Sequence, residues 1–392
     1  MNNYQKGSSS RSPTFTGKSI PPSMLLVSGV LRLLGNVSSL VKVLVFLVVL
    51  HTVDAVLLLG NTFSFKKSRG TVTPKRFSPT QPPPFLSNPF TWMLCTAAAS
   101  LGENRSPNWL WAWASWKGTG YQGDWPEPRL EKGWSRSPCA ALNALANQGV
   151  LPRNGRHITP MELSAAISRA YNLAPTLAIQ LVSPFEPLWR DRGWIDLEAS
   201  LLIPLIFDVL LTFRLVQHDG SFTREDVSGP HAAATVSATQ GAPSERLLNL
   251  YFPEHVDKEL TLFNHAKIQA HVRATARAHN PGFVFNPLHH IFAAGNSALS
   301  HTVIGGKIER LRAWYGADGP ERLLSGWESE AKDAWGVTIL QAQLATAVVE
   351  LAAGPLDGQP RMQNVSNGVE AQDGYCAMLG ETGEQLNSKG KN

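Results

Sequence analysis

A single cysteine in the middle of the chain has the position of a reactive thiolate. Cys139 follows Pro138, and the Ala-, Leu- and Asn-rich run 140–148 predicts a short helix that ends at Gly149. A thiol at a helix N-terminus faces unpaired backbone N–H groups and the positive end of the helix dipole, and both favour the thiolate. Such a thiolate could be a nucleophile, a metal ligand or the axial ligand of a haem iron. An inert buried cysteine is the ordinary alternative.

A second group of polar residues that could take part in a reaction lies in the stretch 217–226. His218 titrates near neutrality, and the neighbouring Asp219 could fix its tautomer, so the pair is a candidate for proton transfer. Gln217 and Ser221 beside it offer oxygen donors. A lone His-Asp pair in a turn is ordinarily a solvated hydrogen-bonding pair, so this pattern alone does not indicate a reaction.

The sequence around the cysteine resembles the proximal loop of the fungal haem-thiolate peroxidases, the chloroperoxidase and unspecific-peroxygenase family. The resemblance runs from Ser135 to Thr159, SRSPCAALNALANQGVLPRNGRHIT. In that family the cysteine of a Pro-Cys-Pro motif binds haem iron, so the resemblance implies that Cys139 is the axial ligand of a haem b. Ala140 stands in place of the second proline, which restores a backbone N–H beside the sulfur and could weaken its electron donation to iron.

The stretch 217–226 resembles the Glu-His-Asp signature of the shorter family members. There the glutamate, a backbone carbonyl and a serine hydroxyl help to hold a divalent ion. By position, the resemblance implies Gln217, the carbonyl of His218 and Ser221 as ligands of a magnesium or manganese ion. Glutamine keeps an oxygen donor but lacks the negative charge that hard divalent cations prefer, so the metal is in doubt.

The segment 280–285 resembles the family segment Asn-Pro-Glu-Phe-Val-Phe on the distal side of the pocket. Gly282 stands where we would look for the distal carboxylate, which moves a proton between the two oxygens of peroxide. Because glycine does not titrate, we expect His218, oriented by Asp219, to carry this proton. The alternative proton carriers are His289 and His290.

Helical periodicity dominates the chain, and no strand pattern competes with it. Thr159 and Glu162 form a capping-box signature, 261–279 is a basic amphipathic helix, and Thr338 caps a last helix that reaches about Gly354. We therefore predict an all-α fold. The resemblance specifies it as a haem-thiolate, chloroperoxidase-like helical domain, and the apolar N-terminal sequence adds a membrane-anchor helix before it.

Composition divides the chain into four parts. Residues 1–60 combine a polar, basic arm with an apolar belt over 24–60, which favours a membrane anchor over a membrane-surface helix or a core helix. Residues 61–120 are a Pro-rich linker and a Trp-rich stretch, 121–354 are the predicted haem-thiolate peroxidase domain, and 355–392 are a predicted disordered tail.

Charge and cysteine content narrow the function classes. The chain has a net charge of +5, but residues 1–80 hold all of the excess, with a single acid, Asp54, so the remainder is mildly acidic. Such a body, without interleaved basic and aromatic residues, argues against nucleic acid as a partner. Three cysteines are too few for a disulfide framework. The apolar belt predicts attachment to a membrane or entry into the secretory pathway.

Three functions are compatible with these patterns. The resemblance implies a haem-thiolate peroxidase or peroxygenase that uses hydrogen peroxide to oxidise a small organic substrate, by analogy in secondary-metabolite biosynthesis. The alternative is a haem-binding but catalytically degenerate, membrane-tethered protein, which Gln217 and Gly282 together suggest. The third is a hydrolase with Cys139 as nucleophile, for which no local signature is present.

Overall fold

The computed structural model of the protein describes residues 47–63, 124–183, 192–198, 218–228, 230, 241–254 and 259–354. Within these ranges the chain is helical and contains no strand, and three isolated bridges pair extended residues. The all-α prediction is confirmed for this part of the chain. Contacts divide the chain into two units, 1–48 and 49–392, and the following paragraphs concern the second unit.

The described ranges contain nine helices. They are α1 (47–63), α2 (Ala140–Asn147), α3 (Pro160–Tyr171), α4 (Pro175–Val182), α5 (Glu245–Tyr251), α6 (Leu262–His279), α7 (Pro287–Ile304), α8 (Ile308–Tyr315) and α9 (Ile339–Ala353).

Local sequence signals set the ends of several helices, as predicted. The Thr159 hydroxyl accepts the N–H of Glu162 at 3.2 Å, and the Glu162 carboxylate accepts the N–H of Thr159 at 3.1 Å, which closes a capping box at the start of α3. Thr338 and Gln341 form the same arrangement at the start of α9. Gly149 has a φ of 77°, the left-handed conformation expected after α2.

Three helices, among them the last described one, form a closely packed group. Helices α6, α7 and α9 contact one another pairwise. Their shared core consists of small side chains, Ala266, Ala294 and Ala298, together with Val349, which lets the helix backbones approach closely. Helix α2 contacts both α3 and α8, and these two helices thereby position the residue that precedes α2.

Much of the predicted domain organisation falls outside the described residues. This applies to 1–46 in the predicted arm and anchor, to 64–120 in the predicted linker and Trp-rich stretch, and to the predicted tail. Within the described ranges no helix is both long enough and apolar enough to cross a membrane. Helix α1 extends through residue 63 and so continues past the predicted start of the linker at 61.

The described end of the predicted anchor packs against the protein body. Asp54, which looked like a charge interrupting an apolar belt, has none of its surface exposed. Its carboxylate accepts the backbone N–H groups of Ile339 and Leu340, both at 2.8 Å, and the hydroxyl of Thr176 also donates to it. These N–H groups belong to the first turn of α9, which has no intrahelical acceptors for them. Residues 49–63 therefore belong to the helical body, and the anchor interpretation is not supported for them.

We predict that replacing Asp54 with alanine lowers the free energy of unfolding by about 1–3 kcal/mol, because buried donors of α9 and Thr176 lose their acceptor. Urea unfolding of the full chain measures this change. Thr62→Ala is the control, since it removes an exposed hydroxyl that bonds within α1, and it should cost less than about 0.5 kcal/mol. Equal stability of Asp54→Ala and the parent would contradict the packing of α1.

Candidate active site

Cys139 is the N-cap residue of α2 and has an extended backbone conformation, with φ −83° and ψ 109°. Its side chain is exposed. The protein nevertheless surrounds the sulfur so closely that desolvation raises the pKa of the thiol. Cys139 is therefore accessible from outside the protein, although many protein atoms lie around its thiol.

The electrostatic surroundings of the sulfur differ from those predicted. Burial is the strongest influence and raises the pKa of Cys139, whereas the N–H groups of Leu142 and Ala141 and the cation of Arg224 lower it. The Cys139 side chain does not form an N-cap hydrogen bond with the first turn of α2. The predicted effect of the helix N-terminus is therefore present, but burial outweighs it. A metal ion that binds this sulfur has to displace the thiol proton.

A polar turn ahead of α2 holds the cysteine in place. Asn143 accepts the N–H of Ser137 at 2.9 Å and donates to the carbonyl of Ser137 at 2.7 Å. The N–H of Cys139 donates to the Ser137 hydroxyl at 3.1 Å. Gly155, with a φ of 66°, lets the following loop approach this turn, because a Cβ there would lie 2.1 Å from the carbonyl oxygen of Ser135.

A buried ion pair joins the cysteine helix to the segment that carries His218. The Glu321 carboxylate accepts a hydrogen bond from Asn143 at 2.9 Å and one from Arg224 at 2.7 Å. The side chains of Arg224 and Glu321 are 0% and 4% exposed. Arg224 belongs to the same described segment, 218–228, as His218. The position of this segment relative to α2 is therefore fixed by charge as well as by packing.

The last residue of α2 and the residue directly after it extend this contact. Asn147 donates to the backbone carbonyl of Glu321 at 2.9 Å. Gln148 donates to the carbonyl of Leu323 at 2.9 Å and accepts the N–H of the same residue at 2.8 Å. The polar residues of α2 thus bind the 321–323 segment and leave the N-terminal end of the helix to Cys139.

His218 is buried beside Phe285 and His289, with ring centroids at 5.5 and 6.1 Å. Its Nδ1 lies 2.8 Å from the backbone carbonyl oxygen of Asp219. Because a carbonyl can only accept, Nδ1 carries the proton, and Nε2 of the neutral ring is an acceptor. Burial lowers the pKa of His218 to about 4, so the ring is neutral near physiological pH.

Asp219 fixes the tautomer of His218 through its backbone rather than through its side chain. The sequence predicted that Asp219 orients the His218 ring, without indicating which of its atoms does so. The Asp219 carboxylate instead accepts the N–H of Val284 at 3.0 Å. It thereby holds the 280–285 segment against the turn that carries His218.

The position of Gly282 does not support the predicted place of a distal carboxylate. A Cβ built on Gly282 would lie 2.9 Å from the Cβ of Ser228. A side chain at this position would therefore press on Ser228, and a glutamate could enter only if the neighbouring loop moved. The sequence-based assumption that residue 282 faces the reacting atoms has no support in this geometry.

The predicted divalent-ion site is only partly described. Gln217 lies outside the described residues. The hydroxyl of Ser221 accepts the N–H of Thr223 at 3.3 Å. Among the described residues no group of three or more His, Cys, Asp or Glu side chains is arranged to hold a metal ion. The magnesium or manganese site stays a prediction.

Comparison with known proteins places this arrangement in a family. The family model described as "Peroxidase, family 2" matches residues 124–332, which include Cys139, His218 and Glu321. The chain belongs to this family. The resemblance recognised from the sequence is thereby confirmed.

A named relative is more distant than the family match. The aromatic peroxidase fscJ of Fusarium equiseti is 29% identical over 177 residues, which make up 41% of this chain and 39% of that protein. The chain thus matches well under half of the relative's length. The family match therefore concerns the helical domain, residues 124–332.

Sequence reasoning missed the unit formed by Arg224, Glu321 and Asn143. Nothing in the sequence near Glu321 or Asn143 indicates that their side chains meet. The two contacts of the Glu321 carboxylate span 97 and 178 positions of the chain. A periodicity or spacing argument does not reach so far, and the only local signal was a cluster of amide side chains on α2.

We predict that Glu321→Ala lowers the free energy of unfolding by about 3–5 kcal/mol, because it removes the carboxylate that neutralises the buried Arg224 cation. Urea unfolding provides the measurement. The matched control is Glu330→Ala, which removes a half-exposed carboxylate paired with Arg310 and should cost at most about 1 kcal/mol. If both variants lose the same small amount, the Glu321 ion pair does not organise the site.

Proposed function

We propose that this chain is a haem-thiolate peroxidase that uses hydrogen peroxide to oxidise a small organic substrate. The observation that carries the proposal is the accessible sulfur of Cys139, at a helix N-terminus inside a domain of peroxidase family 2. A thiolate-ligated haem supplies iron chemistry that favours cleavage of the O–O bond. The name of the relative, an aromatic peroxidase, supports an aromatic substrate. A role in secondary metabolism rests on the sequence resemblance alone.

The residues around Cys139 fit a haem with a cysteine ligand. The sulfur is accessible, and the N–H groups of Leu142 and Ala141 are placed to stabilise it as a thiolate. Hydrogen bonds to a ligating sulfur moderate its electron donation. The Arg224 cation acts in the same direction, and its own charge is balanced by Glu321. The chain therefore offers hydrogen-bond donors to a thiolate at Cys139, although burial alone favours the neutral thiol.

We assign proton transfer to His218. The neutral ring holds its Nδ1 proton against the Asp219 carbonyl, so a proton from hydrogen peroxide would be accepted at Nε2. His218 would return this proton to the other oxygen of the peroxide, which could then leave as water while a bound haem supplied the two electrons that O–O cleavage requires. This assignment makes Asp219 a positioning residue that acts through its backbone.

The second candidate function is a haem-binding protein without peroxidase activity. The observation in its favour is Gly282, which stands where the family segment has a carboxylate and where a side chain would press on Ser228. The membrane tether that was part of this alternative rests on the composition of residues 24–46, as does a location in the membrane or the secretory pathway.

The ligand assignment is tested by Cys139→Ser in the full chain loaded with haem. We expect the reduced carbon monoxide complex of the parent to absorb at the position typical of thiolate ligation, and the variant to lose this band because serine does not provide a thiolate. Cys95→Ser and Cys376→Ser are the controls and should keep it. A thiolate-type band in Cys139→Ser would show that another residue is the ligand.

The proton-transfer assignment is tested by His218→Ala. We expect the reaction with peroxide to slow by about 10²–10⁴-fold while the haem content is unchanged. His279→Ala, which alters an exposed histidine at the end of α6, is the control and should react at the parent rate. Parent-like reaction of His218→Ala with peroxide would make His218 purely structural.

The pH dependence of the same reaction provides a separate check on His218. Because burial lowers its pKa to about 4, its basic form is lost only as the pH falls through that value. Stopped-flow mixing with peroxide should therefore give a rate that is level between pH 7 and about 5 and falls towards pH 4. A midpoint near 6.5, the ordinary value for histidine, would contradict this environment.

A further inference from the structure

We propose that a row of buried aromatic side chains conducts electrons from the protein surface to the Cys139 end of α2. This route would let the enzyme oxidise phenols that are too large to enter the interior. The row consists of Tyr171, Trp327 and Trp125. The inference rests on the proposed peroxidase function and adds a second place, at the surface, where a substrate is oxidised.

The inner end of the row touches the cysteine helix. The hydroxyl of Tyr171 donates to the carbonyl of Ala141 at 2.8 Å, within the first turn after Cys139. Burial raises the pKa of Tyr171, the indole N–H of Trp314 lowers it, and the charge of Cys139 raises it again. The hydrogen bond to Ala141 places the phenol oxygen against the helix turn that begins at Cys139.

The rings follow one another at short distances. The ring centroids of Tyr171 and Trp327 are 6.1 Å apart, and those of Trp327 and Trp125 are 5.7 Å apart. Tyrosine and tryptophan are the side chains that lose one electron most readily, apart from the thiolate, and rings at such separations exchange electrons without a diffusing carrier. The row is therefore continuous from α2 to Trp125.

The outer end of the row lies just beneath the surface. Trp125 is 6% exposed, and its neighbour in the chain, Asp124, is exposed. The carboxylate of Asp124 accepts a hydrogen bond from the exposed Ser325 at 2.9 Å. An electron donor bound at this surface would reach the edge of the Trp125 ring.

Loss of an electron leaves a positive charge on an indole ring, and the hydrogen bonding of the two indoles favours its movement from Trp327 to Trp125. The buried Nε1–H of Trp327 has no acceptor among the described residues, so the ring keeps its proton after losing an electron. The Nε1–H of Trp125 donates to the backbone carbonyl of Trp327 at 2.8 Å. A carbonyl stabilises a positively charged indole without taking its proton. The positive charge is therefore more stable on Trp125 than on Trp327.

Tyr171 acts as a bridge rather than as a resting place for the charge. Its hydroxyl is bonded to a carbonyl, which cannot accept the proton that a tyrosine must release to form a stable radical. The Tyr171 ring thus passes an electron inward and is refilled from Trp327. The positive charge that the lost electron leaves behind resides longer on the two tryptophans than on Tyr171.

Phenols as electron donors and hydrogen peroxide as the electron acceptor are sufficient to balance the electrons and protons of this reaction. Reduction of one hydrogen peroxide to two waters takes up two electrons and two protons. Each electron leaves Trp125 inward through Trp327, and a phenol at the surface returns one electron to Trp125. The phenol releases its proton and becomes a phenoxyl radical, so two phenols are consumed per peroxide.

The test uses the full chain loaded with haem and treated with peroxide in the absence of substrate. Peptide mass spectrometry should then find oxygen added to Trp125, because no donor refills it. Trp327→Phe interrupts the row, and we expect the Trp125 modification to be lost at equal haem content. Trp194→Phe is the matched control, since Trp194 packs on His157 outside the row, and it should leave Trp125 oxidised as in the parent.

A second variant keeps the inference testable if Trp327→Phe folds poorly. Trp125→Phe should abolish the peroxide-driven oxidation of a phenol attached to a large soluble polymer and keep the oxidation of free phenol. Loss of both activities together, or of neither, would overturn the surface route.

Three outcomes of the labelling experiment separate the inferences. Equal oxidation of Trp125 in the parent and in Trp327→Phe would overturn the electron route, because free peroxide would then be attacking the ring directly. A parent that binds haem and consumes peroxide without modifying Trp125 would overturn the route and leave the proposed function intact. A chain that does not bind haem would overturn both.

Discussion

The buried carboxylate of Glu321 is the constraint on which the rest of the site depends. It accepts hydrogen bonds from Arg224 and from Asn143, and these two residues come from distant parts of the chain. A charge without exposure to water persists only if its partners are fixed in number and geometry. The ion pair therefore holds the 218–228 segment against α2. Asn143 also donates to the carbonyl of Ser137, in the turn that precedes Cys139, and so connects this turn to the ion pair.

The features that could be predicted from the sequence are local. The helix start at Thr159 depends on Glu162 three positions later, and the start of α9 depends in the same way on Thr338 and Gln341. The place of Cys139 at the head of α2 follows from the composition of the next ten residues. Each of these signals lies within one or two helical turns, where periodicity and capping rules apply.

The features that could not be predicted depend on burial and on distant partners. Asp54 looked like an interruption in an apolar belt, because its acceptor role requires N–H groups 285 positions away. The helix N-terminus predicted a thiolate at Cys139, but the sequence does not show how much burial opposes it. For Asp219 the sequence does not show which atoms face His218, since either its carboxylate or its carbonyl could reach the ring.

Direct observation of the iron ligand tests the central claim, that Cys139 binds haem through its sulfur. X-ray absorption at the iron edge of the haem-loaded full chain resolves the elements in the first coordination shell. The account predicts one sulfur neighbour beside the four haem nitrogens in the parent, and no sulfur in Cys139→Ser. A shell of nitrogen and oxygen alone in the parent would contradict the claim.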